Sequence, residues 1–213
     1  MTTRMVSRSL ALFAAVAAVV ACQRPKELRV PLDYRPTDKV TLAGLEVAAG
    51  TRVAVTVVDA RTDTSAIGRN SESAQPVPVY AADTAPDGFV RDAVARELAG
   101  ANIQVATDPH AATKVLTLRL QKFWTEETNT YNTSIQASVE LADASGRSLW
   151  KGQVAGSTER FGRSLSAENY QEAMSDAVVA MVERLIHDPG FVQALNTAPS
   201  RAPAPKRPGR GQG

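Results

Sequence analysis

With 213 residues, 44% of them apolar, the chain has enough length and hydrophobic content for one domain with a buried core, which excludes wholesale disorder. Its net charge of +2 comes from 24 Lys and Arg against 22 Asp and Glu. Two of the cations, Arg4 and Arg8, precede residue 22 and four more follow Thr197, which leaves residues 23 to 196 at −4 and gives no extended basic face for nucleic acid.

The chain opens with MTTRMVSR, basic and free of acids, followed by the apolar run LALFAAVAAVV from Leu10 to Val20. A charged start and a short apolar stretch are the two parts of an export signal. Eleven residues cover about 16 Å as a helix, roughly half of a hydrocarbon core, so the run is short for a membrane span. Val19-Val20-Ala21 leads directly into Cys22, the single cysteine of the chain. The stretch resembles the bacterial lipobox, in which the cysteine becomes the lipidated first residue of the mature protein. With no second cysteine to bridge to, neither a disulfide nor a cysteine metal site is expected. Two or more acyl chains hold a protein on a membrane far more firmly than one. The residue after the cysteine is Gln23 rather than Asp, a pattern that points to the outer membrane.

Residues 1–21 therefore read as a signal peptide and 22–50 as a lipidated cysteine with a proline-rich spacer, since Pro25, Pro31 and Pro36 resist helix and favour extended chain. A single domain is expected over 51–196. Residues 197–213, rich in Pro and Arg, read as a disordered basic tail.

Within the domain, RVAVTVVD at 52–59 has the β-branched content of a buried strand. RTDTSAIGRNSESAQ, residues 61–75, reads as one long polar loop, with Gly68 allowing a turn, and a short strand follows at 76–80. Residues 84–100 predict a helix with Phe89, Val90, Ala93, Val94 and Leu98 on one face, a capping box from Thr84 to Asp87, and Gly100 at its end. NIQVAT is a short strand, and Asp108-Pro109 turns the chain. Alternation then predicts strands at 114–123, 134–141 and 148–159, the last two joined by DASGR, so three consecutive antiparallel strands are expected. Ser166 caps a helix running to about His187, and after Asp188-Pro189-Gly190 a short helical turn returns Phe191 and Leu195 to the core. The expected class is α+β: a mostly antiparallel sheet of about five to six strands with two amphipathic helices on one face.

No sequence pattern of an enzyme active site or a metal or cofactor site is present: no G-x-S-x-G, no H-E-x-x-H, no phosphate loop and no Cys-His zinc spacing. No catalytic residue, metal or cofactor is expected. His110 lies in a connection, and His187 at a helix end suits the macrodipole. Two polar groups admit a binding role. Asp59 and Arg61, two apart at a strand end, share a face and either brace the exit of the strand or jointly grip a ligand. Trp124 and Tyr131, in the Asn- and Thr-rich stretch 123–134, form either a contact surface or the end of the core at a sheet rim; Trp150 admits the same two readings.

The lipobox cysteine, the valine-rich strand running into Asp59-x-Arg61 and Ile67-Gly68, the helix FVRDAVARELAG, the strand VLTLRLQKF, the alternating SIQASVELAD and the closing helix ENYQEAMSDAVVAMVERLI together resemble the YajG family of bacterial lipoproteins, over roughly residues 19 to 196. The resemblance implies a small α+β domain tethered to the outer membrane and facing the periplasm, and it carries over no catalytic residues. The basic tail departs from the family pattern. The expected role is non-enzymatic, a binding or scaffold lipoprotein whose partners are the membrane, through its anchor, and an envelope protein. The alternative is an auxiliary subunit of an envelope transport or assembly system.

Overall fold

The computed structural model describes residues 25–37 and 45–198. The leader, Cys22 and nearly all of the basic tail lie outside the described residues. Eight strands form one mixed sheet: β1 (Leu28–Val30), β2 (Arg52–Asp59), β3 (Gly68–Asn70), β4 (Val77–Ala81), β5 (Gln104–Val105), β6 (Lys114–Glu127), β7 (Tyr131–Asp143) and β8 (Ser148–Arg160). Helices α1 (Pro86–Gly100), α2 (Ala167–Ile186) and α3 (Pro189–Asn196) complete it. The α+β class holds, with more strands than the five to six expected.

β6 is the spine of the sheet. Along one edge it pairs antiparallel with the whole of β7, which pairs in turn with β8, and this is the expected three-strand meander. Along its other edge β6 takes two parallel partners end to end, β2 against its first half and β3 against its last residues. The register slips at Gln121, between these partners. A bulge of this kind resets the two-residue alternation, so the inward set passes from Leu116, Leu118 and Leu120 to Phe123, Thr125 and Glu127. β4 lies between β3 and β1, and β5 follows β2 at the other margin.

Both long helices cover one face of the sheet, as expected. Phe89, Val90, Ala93, Val94 and Leu98 of α1 are buried, as are Met174, Ala177, Val178, Met181 and Leu185 of α2. Gly156 of β8 lets α2 come close, because a Cβ there would lie 1.9 Å from the Ala177 carbonyl oxygen. Ser166 caps α2 through the Asn169 amide, and Phe191 and Leu195 of α3 are buried.

Four local expectations are corrected. Residues 28–37 are not a free spacer. β1 sits in the sheet and Val30 and Leu32 are buried. Beyond them, the Arg35 and Thr37 amides donate to Ser175 and Asp176 of α2. The loop 61–75 contains β3, and Gly68 serves close approach rather than a turn, since a Cβ would stand 2.4 Å from the Thr125 carbonyl oxygen. Helix α1 begins at Ala85 with no side-chain cap and Pro86 in its first turn, so the Thr84–Asp87 box does not form. Its exit is made by Asn102 in the left-handed region at φ 65°, not by Gly100. Asn is among the residues that accept this conformation most readily.

Candidate functional site

Asp59 ends β2, and Arg61 turns back over the stretch of β6 that neither β2 nor β3 covers. The two side chains meet in a two-pronged ion pair, Nε to Oδ1 at 2.9 Å and Nη2 to Oδ2 at 2.8 Å. The remaining guanidinium protons go to backbone: Nη1 donates to the Ala66 carbonyl at 2.8 Å and to that of Phe123 at 3.3 Å, and Nη2 donates to Thr64 at 3.4 Å. Its plane also lies 6.0 Å from the centre of the Phe123 ring. A buried carbonyl needs a donor, and here an arginine supplies what a neighbouring strand would. Burial works against the charge of Asp59, but the hydrogen bonds and charge of Arg61 win and hold its carboxyl below the usual range. The arrangement has the geometry of a brace between β2, the following loop and β6. Arg61, Lys122 and Trp124 line only a shallow depression of about 260 Å³ beside it.

The Asn- and Thr-rich stretch is not a loop. β6 and β7 run on to Glu127 and Tyr131, leaving residues 128–130 as the tip. Tyr131 is 1% exposed, so of its two readings the end of the core describes it and the contact surface does not. Its hydroxyl donates to the Arg163 carbonyl, and its ring meets Tyr170 edge-on at 5.0 Å. Trp124 is half-buried, with its indole N–H on Glu126 at 3.2 Å. Trp150 is half-buried against Phe191, ring centres 5.4 Å apart.

Around Tyr131 lies a buried polar cluster. Glu127 points inward, and its Oε1 accepts the Leu165 amide at 2.8 Å. Its other oxygen and the Tyr170 hydroxyl each lack a well-aligned hydrogen bond, and the carboxyl lies close enough to both the Tyr170 and the Tyr131 phenols to raise them. Burial, and then the neighbouring Glu127, push the Tyr170 phenol far above its ordinary range. Thr125 and Thr133 share a hydrogen bond of 2.8 Å across the same strands. Above them the loop 161–165 is closed by Leu165 at φ 54°, a backbone conformation that non-glycine residues rarely adopt. The alternation of β7 places 131 inward, but Thr125 and Glu127 turn inward only because the bulge at Gln121 shifts the phase of β6.

The sheet face opposite the helices carries a groove of about 610 Å³ lined by Thr117, Arg119, Ser138, Glu140, Lys151 and Gln153. His110 is exposed in a single 3-10 turn, and His187 bonds the Glu183 carbonyl through Nδ1 at 2.7 Å. Among the described residues no group of three or more His, Cys, Asp and Glu is placed to hold a metal, and no helix is long and apolar enough to cross a membrane.

Residues 39–196 match the model of a protein family described as uncharacterized lipoprotein, in agreement with the YajG-type resemblance of the sequence. No curated protein matches the chain. Among solved structures, a protein from Xanthomonas campestris is 14% identical, with 75% of this chain and 89% of that one covered at a TM-score of 0.48. A minor lipoprotein from Acinetobacter baumannii is 11% identical, with 64% and 87% covered and a TM-score of 0.36. A PelC dodecamer from Paraburkholderia phytofirmans is 17% identical, with 72% and 94% covered and a TM-score of 0.38. None of these likenesses carries an inference about function.

Proposed function

The chain belongs to the uncharacterized-lipoprotein family, and we propose that it is a non-enzymatic binding or scaffold lipoprotein, held on the outer membrane by lipid on Cys22 and facing the periplasm. The observation that carries the binding role is the one-sided sheet. Helices cover one face, while the other leaves a polar groove over three long strands, with Arg119 exposed and Lys151 paired across the strands with Glu140 at 3.2 Å. Mixed charge on an open, rigid sheet suits recognition of a folded protein surface. The Asp59–Arg61 pair is engaged with its own backbone and Tyr131 is inside, so this proposal rests on the groove and not on either of the two groups for which the sequence left a binding role open.

Two measurements test this. A photo-crosslinking residue at Ser138 is expected to capture a recurrent envelope protein in intact cells, and Arg119→Glu together with Lys151→Glu should abolish the adduct. Unchanged capture by that double variant, or none at Ser138, overturns the binding face. If the captured protein is a transport or assembly component, the auxiliary-subunit reading replaces the generic scaffold. For the anchor, Cys22→Ser should leave the chain unprocessed or released into the soluble fraction; a processed variant still held in the outer membrane contradicts lipidation at that residue.

A further inference from the structure

Among the described residues only two large apolar side chains are exposed, Val58 at 40% and Phe161 at 82%. Phe161 directly follows β8, and the loop that presents it is tightly held. The carbonyl of Arg163 accepts from Tyr131 and from Asn169, Leu165 is bonded to Glu127, and Ser164 is bonded to Glu72 and Asn70. A side chain on so fixed a support loses little freedom on binding.

The register shows which end of the molecule this is. Leu28 stands beside Val79, Val79 beside Gly68 and Gly68 beside Thr125. β1 thus runs opposite to β6, and the chain before Leu28 leaves the sheet at the end where β6 finishes. At that same end Tyr131 pairs with Arg160, and Phe161 comes next. The glutamine side chain of Gln171, in the first turns of α2 beside this loop, also bonds the Pro31 carbonyl just after β1. From Cys22 to Leu28 the chain advances six residues, which reach at most about 20 Å even when fully extended.

We infer that Phe161 inserts into the interface of the phospholipid leaflet that holds the lipid anchor, so that the domain sits on the membrane by this end of its sheet and turns its opposite end away. The inference rests on the reading that Cys22 carries the lipid. A tether this short keeps the loop at high local concentration over the leaflet, and an aromatic ring on a rigid mount is well suited to the interfacial zone. Arg69 and Arg160 at this end are paired with Glu126 and Glu172, while Arg163, two residues from the ring, is exposed. One such cation adds about 1 kcal/mol on anionic lipid, so insertion of the ring should persist at high salt with a modest gain at low salt.

The test uses the acylated full chain in vesicles of phosphatidylethanolamine and phosphatidylglycerol. Since Cys22 is the sole cysteine and its sulfur is consumed by the lipid, Phe161→Cys and, at the opposite end, Ala144→Cys each give one thiol for an environment-sensitive fluorophore. Lipids with brominated chains should quench the probe at 161 at least threefold more than the probe at 144, at both 0.1 and 0.5 M salt. Equal quenching, or stronger quenching at 144, in a chain whose mass shows the acyl group overturns insertion and leaves the anchor standing. A mature chain without the acyl mass overturns both. A probe at 161 shielded in cells yet unquenched by brominated lipid assigns the loop to a protein partner and likewise overturns the inference.

Discussion

Arg61 and Glu127 are both charged and buried, 9% and 1% exposed, and both work along the same strand, yet they are held in opposite ways. Arg61 makes a two-pronged pair with Asp59 and reaches three carbonyls. Glu127 has one strong partner, the amide of a residue in strained backbone, and beyond it only the phenols of Tyr170 and Tyr131. The first is a structural substitute for a missing strand segment. The second ties β6 to the loop before α2 and the start of that helix, 38 or more positions on. A saturated buried charge is costly to remove but insensitive to small changes, whereas a sparsely bonded one should respond to the chemistry of its few neighbours.

The largest effect should come from breaking the saturated site. Arg61→Met keeps the length of the side chain but takes the guanidinium from three carbonyls and from Asp59, which retains only the residue 61 amide at 3.2 Å. Loss of one partner of a buried pair costs about 3–5 kcal/mol, which corresponds to a fall in Tm of roughly 6–20 °C for a domain of this size. Thermal unfolding of the purified domain with an intact sheet spectrum measures it. A change under 2 °C would show that the carbonyls find water instead.

The sparse site should cost less and discriminate more. Glu127→Leu strands the Leu165 amide and the Tyr170 hydroxyl, at about 2 kcal/mol. Glu127→Gln keeps an acceptor for Leu165 and presents an amide to Tyr170, so it should stay within about 1 kcal/mol of the parent. Denaturant titration of both variants sharpens the comparison. If Gln and Leu behave alike, the negative charge rather than the hydrogen bond to Leu165 holds the loop.

The contrast also marks what could be seen in the sequence. Asp59 and Arg61 lie two apart at the end of a β-branched run, so their meeting follows from strand geometry alone. The partners of Glu127 come from residues 165 and 170, and no local pattern links them. Its inward position was available from the alternation through Phe123, once a bulge at Gln121 is allowed, but Thr125, Glu127 and Thr133 look like loop residues by type. The helices and the meander were legible because each carries many turns of its own period. β1 and β3, three residues each, are too short to show a period, and they are strands only because β4 and β6 offer them backbone partners. Gly68 looked like a turn for the same reason: its role is set by the carbonyl of Thr125, 57 positions on.

Acid should separate the two sites next. The carboxyl of Asp59 is held below its ordinary 3.8 by Arg61 in spite of burial. A depressed carboxylate stabilises the fold at pH above its unfolded value and loses that contribution as pH falls through the folded one. Asp59→Asn should therefore lower stability at pH 7 by about 1–2 kcal/mol, since Arg61 keeps its carbonyls, and should flatten the decline below pH 4 by up to about 1.4 kcal/mol per pH unit. Glu126 and Asp143 are depressed as well, so part of the acid limb will remain. An unchanged limb would mean that the pair contributes nothing that protonation can remove.

Alkali addresses the other site, and the expected effect is the smallest. Burial and the neighbouring Glu127 raise the Tyr170 phenol well above its ordinary 10.0. The folded protein then keeps a proton that the unfolded chain gives up, so stability is full below about pH 10 and declines above it. Tyr34, raised by burial and by Glu97, adds to the same limb and serves as the reference. Tyr170→Phe removes one of these protons. It should cost about 1 kcal/mol at pH 7, because the Glu127 carboxyl loses one of its two phenol neighbours, and should make the decline between pH 10 and 11 shallower than in the parent. Urea midpoints across that range measure both. If Tyr170→Phe instead leaves stability at pH 7 unchanged, the phenol and the carboxylate do not share a hydrogen bond, and Glu127 acts on the loop beneath Phe161 through its bond to Leu165.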